Sequence, residues 1–346
     1  MKTPDLAPVL CPFGLLDDGH GPQRAESLHV TRLSGGLIND TFALGRHFIL
    51  QRLHRIFRPE VNLDIQALTP LLLGAGVPVP RILTAETGEP WVEIDDPESE
   101  LTGAWRILTR LPGDTLHRLA NPRQAENAGQ MVARFHTALR DCRHTFHFTR
   151  PGAHDTDGHF RTLADALTQH PTHRLHADAA ELAAELQTRW LAWGPIPQLP
   201  ERVIHGDLKV SNLLFSGDEV VGILDLDTMA RSTLDVEMGD ALRSWCNSTT
   251  EDDPEPQFDL ATYHAARRGY VAVAGAWLTP AEQHALGPAI ERICLELSAR
   301  FAADALHERY FGWNPEKFTA RGEHNLARAR NQLRLARAVA NVRADL

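Results

Sequence analysis

Two hydrophobic periods divide this chain, and they change over at Pro112-Gly113. Before that point, from Leu28 to Leu53, apolar residues alternate and the chain turns back at Gly35-Gly36 and at Gly45. This predicts a three-strand antiparallel meander. The run RPEVNLDIQALTPLLLGAG predicts a helix: Pro59 falls early, where a missing donor costs little, and Gly74 and Gly76 close the far end. PWVEI and AWRILTRL supply two more strands. A sheet of about five strands with one helix therefore takes up roughly residues 27–111.

After Gly113 the period becomes helical. In QAENAGQMVARFHTALRD, Ala128, Met131, Val132, Phe135 and Leu139 fall on one stripe, and DAAELAAELQTRWLAW repeats the pattern. From Leu260 onward the pattern is almost entirely helical. At 346 residues the chain exceeds what one core usually serves. The expected class is α+β in two lobes, residues 1–111 and 112–346, with RLPGDTL as the hinge. Net charge of −10 argues against nucleic acid or an anionic membrane as partner. No apolar run reaches the ~18 residues of a membrane span. The scattered Cys11, Cys142, Cys246 and Cys294, and the lack of a signal-like block, predict reduced thiols and a cytoplasmic protein. A small-molecule substrate is expected; monomer and homodimer both stay open.

The stretch VIHGDLKVSNLLFSGDEVVGILDLDT, from Val203 to Thr228, carries the chemistry. Two β-rich runs, Leu213–Phe215 and Val220–Leu224, flank a turn at Ser216–Glu219, with Asp207, Asn212 and Asp225 outside them. A hairpin centred near Gly217-Asp218 sets Asn212 and Asp225 as diagonal neighbours, ~7 Å apart, so that one divalent cation fits between them. An amide and a carboxylate suit Mg²⁺ completed by phosphate oxygens. Asp207 is placed to accept the proton of an attacking hydroxyl, and Lys209 to neutralise a transferring phosphoryl group.

HGDLKVSN followed by ILDLD resembles the catalytic and metal-binding loops of the protein-kinase-like superfamily, in its aminoglycoside phosphotransferase/choline kinase branch. The resemblance implies a bilobal kinase fold, ATP as phosphoryl donor, Asp207 as base, and Asn212 and Asp225 as Mg²⁺ ligands. It also implies a phosphate-covering loop at Ser34, Gly35, Gly36 and Leu37. Thr109 and Leu111, at the hinge, are taken as nucleotide contacts. The third strand, FILQRLH, carries no VAIK-like Lys; Arg52 is favoured for the phosphates, with Gln51 on the opposite face as competitor. Glu60 and Asp64 are the alternatives for its helix partner. Asp240, a local N-cap for ALRSW, resembles the residue that holds the catalytic-loop backbone.

Within that branch the chain is similar to the N-acetylhexosamine 1-kinases, through LSGGLINDTF, FILQRLHRIF, DLDT, RPGAHDTDGHFR, ARFAADALHERYF and HNLARARNQL. This implies transfer to the anomeric hydroxyl of a hexose or N-acetylhexosamine, with Arg300 and Tyr310 on the sugar. His154, Asp227 and Arg243 join Asp207 as acceptor contacts. HGD stands where that group carries HND, and the Arg-to-Tyr spacing is one residue shorter. From Pro315 to Leu346, seven positive charges face three negative ones, which disfavours polycationic aminoglycosides. Part of that charge is a solvated face beside the stripe Leu326, Ala329, Leu333 and Ala336. An aminoglycoside or choline-like acceptor, and a catalytically silent kinase-like module, are the alternatives. His144, His147, His154 and His159, with Asp155 and Asp157, match no compact zinc spacing. With 18 histidines in the chain, a plain loop is the expectation.

Overall fold

The structure is a computed structural model that describes residues 5–15, 29–33, 39–250 and 252–346. The chain divides into two units. The first holds residues 1–113, 141–149 and 221–229; the second holds 114–140, 150–220 and 230–346. The sequence suggested one cut between 111 and 112. Two later segments join the first unit because side chains there hold them, as described below.

In the first unit, α1 (Ala7–Leu10) precedes β1 (Val30–Arg32), β2 (Asp40–Leu44), β3 (Phe48–Arg52), α2 (Val61–Gly74), β4 (Val92–Ile94) and β5 (Gly103–Thr109). The five strands form one antiparallel sheet of order β1-β2-β3-β5-β4, so the meander and the two added strands are as the alternation predicts. Register then decides which side chains share a face. Phe42, Leu50 and Ile107 stand in one row and pack on Leu6, Val9, Leu10 and Phe13. The row Asp40, Arg52 and Trp105 lies on that same face. Thr41, Gln51 and Arg106 form a row on the opposite one. α2 starts at Val61 rather than at the proline, and buries Val61, Ile65, Leu68 and Leu72 one to two turns apart. A second core joins Leu53, Phe57, Val61 and Ala104, with Phe148 against Phe57 at 5.9 Å between ring centroids.

The second unit begins with β6 (Asp114–Thr115), α3 (Pro122–Leu139), α4 (Thr156–Gln169), α5 (His176–Trp193), β7 (Glu201–Ile204), β8 (Leu213–Ser216) and β9 (Glu219–Ile223), whose last residues belong to the first unit. β10 (Ala230–Thr233), α6 (Leu234–Trp245), α7 (Leu260–Ala274), α8 (Pro280–Ala285), α9 (Pro288–His307) and α10 (Arg321–Asn341) follow. β6, β8 and β9 make a three-stranded sheet; β7 pairs antiparallel with β10. α9 is the centre, buried along nearly all its length and packed on α4, α5, α6 and α10. α3 and α7 touch backbone to backbone: a Cβ at Gly129 would sit 2.1 Å from Ala266 O, and one at Gly269 2.0 Å from Glu126 O. Both glycines are required by the closeness of the helices.

The α+β class of the sequence reading is what the structure has. α4 and the short strands β6, β7 and β10 escape it; strands of two to four residues carry few alternations to read. Among the described residues, no helix is long and apolar enough to cross a membrane.

Candidate active site

In the second unit, β7 delivers His205, Gly206 and Asp207 into a loop that ends in a 3₁₀ turn, Val210–Asn212, at the start of β8. Gly206 has φ +83°, a conformation open to glycine and costly to most other residues. α6 fixes this loop from behind. Glu237 accepts the backbone N–H groups of His205 (2.7 Å) and Gly206 (2.8 Å). Ser244 Oγ accepts from Val210 N at 3.2 Å, and Trp245 Nε1 donates to Leu208 O at 2.7 Å. Glu237 is buried, which opposes its charge, yet the hydrogen bond and charge of His136 and the charge of His205 hold its carboxyl below the usual range. The loop therefore hangs on a buried anion.

This corrects the reading of Asp240. It lies inside α6, which starts at Leu234 behind Thr233, so it caps nothing. Its hydrogen-bond partner is Arg243, at 2.9 and 3.2 Å, and the loop backbone is held by Glu237 one turn earlier. The signal was present in VEMGD: two acids three residues apart on one face, of which packing chose the other.

The loop gathers three of the sequence candidates. Lys209 Nζ lies 2.6 Å from Asp207 Oδ2, and Asn212 Nδ2 donates to Asp207 O (2.7 Å) and to Oδ2 (3.0 Å). Both contacts fall on one oxygen, leaving Asp207 Oδ1 without a hydrogen-bond partner among the described residues, in a side chain 26% exposed. The Asn212 amide is turned by these bonds so that its own oxygen has no hydrogen-bond donor among the described residues. An oxygen held this way, with its amide fixed, fits a hard cation.

Further out in this unit, Glu296 of α9 is wholly buried and accepts from Thr156 Oγ1 (2.8 Å), with His154 Nδ1 at 3.0 Å. Burial disfavours the charge of both partners, but their mutual hydrogen bond and attraction prevail: His154 is raised and Glu296 lowered. Asp240 and Arg300 act on the same histidine electrostatically, which brings Arg243, His154 and Arg300 into one electrostatic neighbourhood. Arg300 lies over the Phe311 ring at 5.8 Å and 4.0 Å from Glu296, with no hydrogen bond among the described residues. Tyr310 is 52% exposed and its hydroxyl accepts from Arg150 Nη2 at 2.7 Å. The chain between them is set by Asp304, which accepts the N–H groups of Arg309, Tyr310 and Phe311. Glu296 was missed in the sequence, where it reads as one more helix acid.

In the first unit, Asp225 has φ +62°, in the left-handed region, and precedes a 3₁₀ turn over Leu226–Thr228. A non-glycine residue held there signals a side chain aimed by its surroundings. Asp227, two residues on, is fully enclosed. Arg106 Nη1 and Nη2 meet its two oxygens at 2.5 and 2.9 Å, and Asn39 Nδ2 donates at 2.9 Å. Arg106 also donates to Asn62 of α2 and to Gln51. Asp227, expected on the acceptor, thus gives both oxygens to neighbours within its own unit. Arg106 was missed, although a charge inside the apolar strand AWRILTRL was the clue.

Arg52 departs from expectation. It donates to Asp40 Oδ2 (3.0 and 2.5 Å) and to Glu100 O (2.7 Å), and lies 5.5 Å over Trp105. The pair is cross-strand, set by register, on the face opposite Asp227. Neither Glu60 nor Asp64 is its partner. Glu60 takes Arg58, and Asp64 takes His144, His147 and the backbone N–H of Phe148. Gln51 bridges Thr41 and Arg106. Thr109 closes β5 with its hydroxyl accepting from Arg81 N; Leu111 borders a cavity with Arg46, His47, Arg110, Pro112 and Gly113. Ser34, Gly35, Gly36 and Leu37 lie outside the described residues. Two arginines of α10 pair with acids of α5, Arg330 with Asp178 and Arg337 with Glu185, which takes up part of the charge counted against a polycationic acceptor. Cys246 is buried and its thiol pushed well up by burial, which leaves it unreactive.

Comparison with known proteins now adds a decisive observation. The profile of the phosphotransferase enzyme family, APH, matches residues 29–276. The chain belongs to this family. Among curated relatives it is 30% identical over 186 residues to a homoserine kinase of Rhodopseudomonas palustris, matching 54% of this chain and 53% of that one. To a homoserine kinase of Bradyrhizobium diazoefficiens it is 32% identical over 181 residues, 52% and 51% of the two chains. The chain spans about half the length of these curated relatives it matches. Solved structures share the fold. An aminoglycoside phosphotransferase of Alicyclobacillus acidocaldarius has a TM-score of 0.60 at 16% identity, covering 99% and 98% of the two chains. A microcompartment-associated aminopropanol kinase has a TM-score of 0.57 at 18% identity, covering 93% and 94%.

Proposed function

We propose that this APH-family chain is an ATP-dependent kinase that moves a phosphoryl group onto a hydroxyl of a small molecule. The observation that carries the reading is Asp207, held by Lys209 and Asn212 on one oxygen while the other stays open. A carboxylate so fixed accepts the hydroxyl proton as the oxygen attacks the γ-phosphorus and the bond to the nucleotide breaks. Lys209, beside it, offsets negative charge on the phosphoryl oxygens. Asn212 and Asp225 are the assigned Mg²⁺ ligands; a bound Mg²⁺ would neutralise phosphate charge. The two residues offer an amide oxygen and a carboxylate, the hard donors that ion takes.

The acceptor is assigned to the anomeric hydroxyl of a hexose or N-acetylhexosamine, with His154, Arg243, Arg300 and Tyr310 as its contacts. Support comes from Arg300, whose guanidinium donors are unused among the described residues, and from His154, which Glu296 orients through Nδ1 so that Nε2 faces away from it. The homoserine kinase relatives favour a second reading, an alcohol that carries an amino group, whether a hydroxy amino acid or a simple amino alcohol, as acceptor. An ADP-release screen separates them: N-acetylhexosamines and hexoses against homoserine, aminopropanol, choline and aminoglycosides. Turnover with sugars alone supports the first, and turnover with amino alcohols alone replaces it with the second. No ADP from any acceptor, with no Mg²⁺-dependent stabilisation by ATP, would leave a silent kinase-like module.

A further inference from the structure

The histidines that the sequence dismissed as a plain loop acquire a partner in the fold. His144 and His147 lie in the segment 141–149, and Asp64 lies in α2, one turn after Glu60. Asp64 is 1% exposed. His144 Nε2 stands 2.7 Å from Asp64 Oδ1, and His147 Nδ1 stands 2.8 Å from that same oxygen. The backbone N–H of His147 also reaches it, at 2.8 Å. Three donors thus converge on one carboxylate oxygen, which has two lone pairs to offer. Phe148 N takes the other oxygen at 3.1 Å. The two imidazole nitrogens and the carboxylate oxygen all lie within 4.8 Å of one another.

We propose that Asp64, His144 and His147 form a binding site for a transition-metal ion of the Zn²⁺ class, which staples the segment 141–149 to α2. Two imidazoles are borderline donors, and together with one carboxylate they make a set that favours Zn²⁺ or Co²⁺ over Mg²⁺. The ion takes the place of the two imidazole protons, and Asp64 Oδ1 then serves one backbone N–H and one cation in place of three donors. Ligand atoms around a tetrahedral Zn²⁺ are about 3.4 Å apart, given bonds of about 2.1 Å. Each ring must therefore withdraw from Oδ1 by roughly 0.6 Å, which rotation of two side chains supplies. His144 is 16% exposed and His147 48% exposed, so the fourth position is open to water and the ion has a path in. The backbone bonds from His147 and Phe148 to Asp64 orient the carboxylate, as second-layer contacts do in metal centres. This site is separate from the residues assigned to phosphoryl transfer and does not depend on that assignment.

The test uses the full chain, stripped with a chelator and dialysed, in excess Mg²⁺. Co²⁺ is titrated and its visible d–d absorption read, then Zn²⁺ is titrated by calorimetry, and Tm is followed with each. The expected result is one equivalent of Co²⁺ in a low-coordinate environment, displaced by Zn²⁺, and a Tm that rises with ion concentration. His147→Ala, at the most exposed ligand and so the least disruptive to folding, and His144→Ala should each weaken binding by about tenfold or more. His284→Ala, at an exposed histidine on α8, should bind as the parent does. Absence of a Co²⁺ band in folded protein overturns the site, as does undiminished binding in both ligand variants. A Tm lowered by His144→Ala without any ion response also overturns it, leaving a hydrogen-bonded latch instead.

Discussion

Arg106 and Asp227 form a two-point ion pair, with nitrogen–oxygen distances of 2.5 and 2.9 Å and both side chains buried. They are 121 residues apart in sequence, and the pair ties β5 to the turn that follows Asp225. Removing one partner leaves the other charged and buried. Arg106→Leu should cost about 3–5 kcal/mol, read as a lowered urea midpoint. Arg106→Lys should recover only part, because one ammonium cannot span both carboxylate oxygens. A midpoint unchanged in Arg106→Leu would show that the pair contributes nothing.

Substitution at the open carboxylate should separate chemistry from binding. Asp207→Ala is expected to lower turnover by about 10²–10⁴-fold while ATP with Mg²⁺ still raises Tm. Full turnover in this variant would remove Asp207 from the reaction.

Glu237 offers a control at one remove. Glu237→Gln keeps the shape but gives the loop an amide oxygen for one backbone N–H and an amide donor beside the other. Turnover should fall by at least about tenfold, as misplaced catalytic groups lose rate steeply, with the folded structure retained by circular dichroism. Wild-type rates would show that the loop needs no such anchor.

Close packing of α3 on α7 is tested by adding a single methyl group. Gly269→Ala places a Cβ 2.0 Å from Glu126 O, a backbone atom that cannot swing aside. About 3 kcal/mol or more of destabilisation is expected, at the upper end for overpacked sites. Gly217→Ala makes no close contact, and strain from its left-handed φ of +62° should cost less, about 1 kcal/mol. Equal losses at both sites would refute the packing argument.

The pair His154–Glu296 sets a pH window. His154 is raised, so its contribution is complete below the free histidine pKa of ~6.5 and is lost as pH climbs through the folded value above that. Glu296 is lowered, so its contribution is complete above the free value of ~4.3 and is lost as pH falls through the folded one. Stability from the pair is therefore full between these limits. Thermal melts of the parent should drop relative to His154→Gln as pH rises above the free histidine value of ~6.5; parallel curves would contradict the assignment.

Much of the site was written locally. Asp207, Lys209 and Asn212 lie within six residues, so a loop and one 3₁₀ turn suffice to bring them close to one another. The meander's period of two likewise separated Gln51 from Arg52 before any coordinates, as alternate side chains must leave opposite faces of a sheet. The apolar stripe of α10, from Leu326 to Ala336, is buried as its spacing requires.

What spacing leaves open is the choice among chemically equal partners. Arg52 had two helix carboxylates on offer and took neither, because strand register set Asp40 directly opposite. Asp64, freed from that role, meets His144 and His147 from 80 residues or more away. Glu237 rather than Asp240 holds the loop. In each case the charges alone would have accepted either answer. Sequence determined the elements and the local loop chemistry, since backbone geometry acts over a few residues. The tertiary structure decided the ion pairs, since burying apolar faces fixes which strands and helices meet, and a buried charge must pair with whatever that packing brings within reach.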